Sequence, residues 1–320
     1  MFAAIFGFEL KLGFKRPMVY IFFGLFLVLS MVIGFEQVGL FNTFEGDHST
    51  IANSAYSVSS LLVALNSSVF GLLNSIVLVS IMATAIQKDY EYNTHALFFT
   101  KPISKAGYFF GRFLAALVLG IFVMSGYVIG YFIGLLPGMG KPVVGPFELM
   151  NFLQPFFVFT LPNVFFIGIV LFALTTFTRR TLTAYLFCII LLIVRSIAEA
   201  MSGDLDKKTL SALIEPFGSI AFQVITEYWT PAEQNTRLIP LKEILVQNRL
   251  IWFGIAVILT AISYYRFSFT QFLTPFRLFK RKEEKSAPAA SGYHTLADIP
   301  VVRRAFGGAA SWSQLWYLSK

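Results

Sequence analysis

Cysteine is almost missing from this 320-residue chain. Cys188 stands alone, which excludes an intrachain disulfide framework and a thiolate zinc site. Histidine is nearly as scarce, with only His48, His95 and His294, and no HExxH is present. The two-histidine, one-glutamate arrangement of zinc peptidases therefore has no place here. A P-loop is missing too. Gly138-Met139-Gly140-Lys141 is followed by Pro142, where the motif needs the Ser or Thr that holds magnesium. Charge is also thin, at 13% of residues against roughly a quarter in soluble domains. In its place are 37 Phe and a hydrophobic fraction of 56%, which is not the surface of a soluble globule.

The gaps between charged residues are long. Pro17 to Phe35, Ser49 to Gln87, Phe113 to Gly140 and Leu149 to Thr178 hold no Asp, Glu, Lys or Arg, and Thr181 to Val194 and Leu250 to Tyr265 are shorter gaps of the same kind. A helix needs about 20 apolar residues to cross a bilayer, because lipid offers the backbone no hydrogen-bond partner. These windows predict six spans, near 18–35, 63–86, 108–136, 151–177, 182–200 and 250–267. The fold class expected is an all-α polytopic membrane protein. The first apolar run exceeds the usual signal-peptide core, and no small-x-small cleavage site follows Gly34, so it reads as a retained span.

The net charge of +8 could point to nucleic acid, but its placement argues otherwise. Fifteen Lys and Arg lie in the N-tail, the 88–112 segment, Arg179-Arg180 and the early C-tail, against Lys141 alone in the two short loops on the other side. Basic residues in short loops stay cytoplasmic, which puts both termini inside and leaves 201–249 outside. Membrane lipid, not nucleic acid, is the expected partner of the basic run Arg277 to Lys285. The tail 268–320 then passes through an Ala/Pro/Ser linker to SWSQLWYLSK. That ending echoes IFGFELK at the start, as if a second unit of the same pattern followed.

Residues 2–17 have a helical pattern suited to the membrane interface, with Phe2, Ile5, Phe6 and Leu12 on one face and Lys11 and Lys15 opposite. Glu9 falls within the apolar face, where a carboxylate is costly without a partner. Arg16 or a lipid headgroup is the simplest partner; a lock onto the next cytoplasmic loop is the alternative. Within the spans, Gly126, Gly130 and Gly134 put small residues on one face, fit for close packing inside the chain or across a dimer. Asn66, Ser67, Ser68, Asn74, Ser75 and Ser80 give the second span a polar load, either facing a conduit or bonding to the helix's own carbonyls. Arg195 and Glu199 are spaced to pair, as an anchor at the outer end of the fifth span.

The stretch 87–107 carries the most chemistry. Asn93 or Thr94 can cap a short helix, Lys101-Pro102 stops it, and Ser104 can cap the third span. Leu97, Phe98 and Phe99 near its end make an apolar docking surface or an interface anchor. This order of interfacial helix, two spans, short acidic helix, Pro-Ile-Ser turn and Gly-Arg resembles the permease subunit of type-2 ATP-binding-cassette (ABC) transporters, over about residues 1–270. The resemblance implies a coupling helix in which Asp89 or Glu91 takes the acidic place, Asn93-Thr94 the Gly-Thr, Leu97 the Leu and Pro102-Ile103-Ser104 the turn. It also implies a bacterial inner-membrane location. A separate cytoplasmic ABC ATPase would bind ATP and Mg, and a second permease unit would complete the path, leaving this chain no enzyme and without a cofactor or metal of its own.

A second series narrows the resemblance. Glu215-Pro216-Phe217-Gly218, Tyr228 to Glu233, Asn235-Thr236 and Asn248-Arg249-Leu250 before Ile251-Trp252 are similar to bacterial permeases fused to a gluzincin-type zinc aminopeptidase, whose peptidase part is absent here. The same segment also reads as amphipathic, and a helix packed on the outer membrane surface accounts for it. The expected function is thus a permease moving substrate, in the export direction, at the expense of ATP hydrolysed by a partner. An ion-coupled secondary carrier and a non-transporting anchor of a peptidase system are the rival classes.

Overall fold

A computed structural model describes residues 2–40, 50–67, 69–91, 103–178, 180–204 and 206–267. The described residues belong to one compact unit; the tail from 268 lies outside the described residues. The described chain is helical and contains no strand. In order it runs α1 Phe2–Phe14, α2 Pro17–Gln37, α3 Ala55–Ser67, α4 Val69–Glu91, α5 Lys105–Leu135, α6 Leu149–Pro155, α7 Leu161–Thr178, α8 Thr181–Ser202, α9 Lys208–Ile214, α10 Ser219–Thr226, α11 Pro231–Thr236 and α12 Glu243–Arg266.

Local chemistry sets several boundaries. Pro17 at the first helical position fixes the start of α2, and Ser104 caps α5 by accepting from the Gly107 N–H at 3.2 Å. Between α6 and α7 a π-turn, Phe156–Thr160, carries the chain through without a break. Pro162 cannot donate to the carbonyl four residues back and its ring crowds that position. A π-bulge is one of the ways a helix absorbs such a defect.

Among the described residues five helices are long and apolar enough to cross a membrane: α2, α5, the α6–α7 run, α8 and α12. They match five of the expected spans. The expected second span is not one straight helix. It corresponds to α3 and α4, bent by 67° between Ser67 and Phe70. The sixth begins earlier than charge counting placed it, because Arg249 lies inside α12 with its guanidinium bonded to protein.

Core and periphery are clearly separated. The most apolar windows of α5 and α7 are 61% and 67% buried, against 22% for α2 and α8 and 17% for α12. Tyr108, Phe109, Tyr127 and Tyr131 on α5 are fully enclosed, and Phe109 meets Phe172 edge-on at 5.2 Å. The outer helices expose Leu186, Ile189, Ile190 and Ile193 on α8 and Leu250, Phe253, Val257 and Ile258 on α12. Such apolar faces are at home in lipid.

The Gly126, Gly130 and Gly134 stripe packs within the chain, against α2. A Cβ on Gly34 would lie 2.8 Å from the Gly134 Cα, and one on Gly130 would collide with the Leu27 carbonyl. Ser30 and the Phe26–Tyr127 stack at 4.5 Å complete this contact. The polar residues of the bent pair also turn inward: Asn66 donates to the Leu62 carbonyl, Ser67 to Val63, and Ser75 to Gly71. Asn74 donates to the Leu65 carbonyl and accepts from the Tyr127 hydroxyl at 2.5 Å. The first three run back to carbonyls of the residue's own helix; the Asn74 bond to Leu65 crosses the bend.

Candidate functional site

The first polar cluster joins α1, α4 and α5. Small residues let α1 lie close along α5: Gly107 faces the Phe2 backbone, Gly111 admits Ile5, and Gly13 admits Leu119. Residues one helical turn apart on this face, Ile5, Glu9 and Gly13, thereby point into the bundle. Glu9 is buried and divides its carboxylate between two helices. Oε2 pairs with Lys88 Nζ of α4 at 2.5 Å and Oε1 with Arg112 Nη2 of α5 at 3.3 Å. Arg112 also donates to the Ala85 carbonyl at 2.6 Å and lies 4.6 Å over the Tyr108 ring. Arg16 stands alongside, donating to Thr84 Oγ1 at 3.4 Å. Burial draws the Lys88 ammonium below its ordinary range; Glu9 pushes it back up, and the Arg112 and Arg16 charges lower it further.

Of the two partners expected for Glu9, the structure has the loop-flanking one: Lys88 precedes the 92–102 segment and Arg112 follows it. Arg16, the simpler choice, bonds a threonine instead. Lys11 lies exposed on the opposite face of α1. The backbone of Asp89 and Glu91 ends α4, while their side chains, and the whole of Asn93, Thr94, Leu97, Phe98 and Pro102, lie outside the described residues.

At the other end of the bundle a second cluster links α7, α12 and the 203–242 segment. Gly218 sits at φ 78, a left-handed turn that glycine adopts without penalty, with the Arg249 guanidinium against it. Arg249 donates to Asn163 Oδ1 at 2.7 Å and to the Phe217 carbonyl, to which Asn163 also donates. Glu215 is fully buried and accepts from the N–H groups of Phe217, Ser219 and Ile220, closing the start of α10. Burial raises its carboxyl pKa, against the opposing pull of Arg249 and these donors. Asn248 donates to the Ala212 and Glu215 carbonyls, and Trp252 to Leu213. Thr230 and Glu233 form a reciprocal cap on α11, and Asn235 accepts from the Ile51 N–H at 2.6 Å.

The residues singled out at 215–218 and 248–252 are thus brought together, joined by Asn163, which the sequence reading had left out. Its only signal was an amide near the middle of the apolar span expected at 151–177. The amphipathic expectation for the outer segment holds in part: Phe217 and Ile220 are buried, while Leu210 is exposed. Arg195 and Glu199 pair at 3.3 Å, with Glu199 largely exposed, the geometry of a surface anchor.

No family model matches the chain, and no curated protein or solved structure matches it either.

Among the described residues no three His, Cys, Asp or Glu side chains gather where a metal could sit. The Glu9 cluster can transmit force: one carboxylate ties three helices, through the last turns of α4 and the first turns of α5. The Glu215–Arg249 cluster ties the short helices α9 and α10 to α7 and α12 in the same way.

Proposed function

We propose that this chain is the six-span permease subunit of a type-2 ABC transporter in a bacterial inner membrane. The α3–α4 pair serves as its second span, and both termini face the cytoplasm. A separate ATPase subunit binds ATP and Mg and pushes on the 88–104 elbow. The bundle, with a second permease unit, converts that push into substrate movement in the export direction. Asp89, Glu91, Asn93, Thr94, Leu97, Phe98 and Pro102 form the contact with the ATPase.

The observation that supports this most is the position of Glu9. Its bonds to Lys88 and Arg112 bracket the elbow, so a displacement there is shared by α1, α4 and α5 at once. An unbraced elbow would dissipate such a push in local bending. The aromatic core of α5 and α7 then carries the motion, since close-packed interiors transmit strain.

The test is a triple replacement, Glu91→Gln, Leu97→Ala and Phe98→Ala, in the complex isolated from native membranes. Substrate-stimulated ATP hydrolysis should fall to its unstimulated level while membrane insertion and yield stay unchanged. Full stimulation in the triple variant would overturn the contact assignment. Transport under an ion gradient with no ATPase present would overturn the class.

A further inference from the structure

We infer that the cleft between α1, α4 and α5 seats the phosphate of one anionic glycerophospholipid. The inference does not depend on the transport reading; it needs only that the bundle sit in a bilayer. The cleft is lined by Glu9, Arg16, Thr84, Lys88 and Arg112, with Gly13, Ala85 and Leu119 among its apolar walls, and encloses about 280 Å³, its open mouth included. Its inner end has room for about one water, so a headgroup would lie across the mouth with a phosphate oxygen reaching inward.

Charge points to an anion. Three cations, Arg16, Lys88 and Arg112, line the cleft from three separate elements. The Glu9 carboxylate is already turned inward and shared by Lys88 and Arg112. Arg16 is half-exposed and meets a neutral hydroxyl at 3.4 Å. A guanidinium offers paired donors to phosphate geometry, and basic pockets between membrane helices are where anionic headgroups bind. The surroundings favour a lipid as the source of the phosphate. One residue after Arg16, α2 begins and exposes Met18, Tyr20, Ile21, Leu25 and Val28, an apolar track for an acyl chain. On the other side Phe8 is exposed.

The test uses the full chain in nanodiscs of equimolar phosphatidylglycerol and phosphatidylcholine, released for native mass spectrometry. Wild type should retain phosphatidylglycerol about fivefold over phosphatidylcholine, the size expected for one interfacial cation. Arg16→Gln should bring the ratio near parity, and Arg16→Lys should restore most of it. Lys15→Gln removes a neighbouring exposed charge that does not line the cleft, and should leave the ratio intact. Equal retention of both lipids by wild type, or equal losses in the Arg16→Gln and Lys15→Gln variants, would overturn the site. Inorganic phosphate separates the two sources. If, in phosphatidylcholine alone, it raises the unfolding temperature of wild type but not of Arg16→Gln by as much as phosphatidylglycerol does, the phosphate pocket stands and the lipid is overturned as its occupant.

Discussion

Glu9 shows how one residue can hold a membrane bundle in register. A carboxylate buried between two cations is a poor source of net stability, because desolvation offsets most of the attraction. Removing it alone is severe, since the cations remain buried without their counter-charge. Glu9→Gln should therefore lower unfolding free energy by about 3 kcal/mol. Pairing it with Lys88→Met, which also removes one of the stranded charges, should recover part of the loss. Thermal unfolding in detergent of the two single variants and the double variant measures the coupling, and strictly additive losses would show that the pair does not interact.

Glu215 gives a second residue-scale test, through pH. Its folded-state carboxyl is raised from the ordinary 4.5 by burial. Above 4.5 and below the folded value, the native chain holds a proton that the unfolded chain has released. Stability from this group is thus fully present below 4.5 and is lost as pH rises through the folded value. The unfolding temperature of wild type minus that of Glu215→Gln should fall across that window, because the amide cannot titrate. A difference that stays flat from pH 4.5 to 7 would show that the carboxylate's three backbone donors outweigh its burial.

At the scale of elements, the α2–α5 contact depends on backbone approach. Gly130 has no room for a methyl group, because the Leu27 carbonyl and the Ser30 hydroxyl already occupy that space, whereas Gly24 on α2 faces nothing within 4 Å. Gly130→Ala should cost at least about 1–3 kcal/mol through overpacking. Gly24→Ala should stay within about 1 kcal/mol of wild type. Unfolding in detergent checks both, and matching values would show that α2 moves aside freely.

The helices themselves were legible wherever a charge-free window coincided with a backbone signal. Pro17 marks the start of α2 and Ser104 that of α5, and Thr181 follows Arg180 at the start of α8. The bend in the second span was not legible, since Asn66 and Ser67 lower hydropathy only slightly and say nothing about direction. The early start of α12 was missed because Arg249 reads as a loop charge until Asn163, 86 residues earlier, is placed beside it. Glu9 could be picked out as a problem from its place on an apolar face. Its solution stood only as the second choice, because Lys88 lies 79 residues away and no local signal favours it. Local signals specify elements; the polar contacts that make a site are long-range.

For the whole molecule the decisive question is which end faces which compartment. At about 1.5 Å per residue, the 31 residues of α5 reach about 46 Å, well beyond the roughly 30 Å hydrocarbon layer. Set across that layer, its two ends would reach different aqueous compartments. The Glu9 cluster surrounds its first turns, and Tyr131, near its other end, donates to the Ala52 carbonyl. In the short loops the basic residues fall on the side of the first end, and Tyr228, in the segment joined to the second cluster, is 83% exposed. With Cys188 replaced by Ala, single cysteines at 95 and at 228 form the test. A membrane-impermeant maleimide applied to intact cells should label Tyr228→Cys and spare His95→Cys until the membrane is opened. Labelling both from outside would place an even number of crossings between them and detach the elbow from any cytoplasmic ATPase. The reverse pattern would invert the bundle, and with it the compartment from which a partner could push.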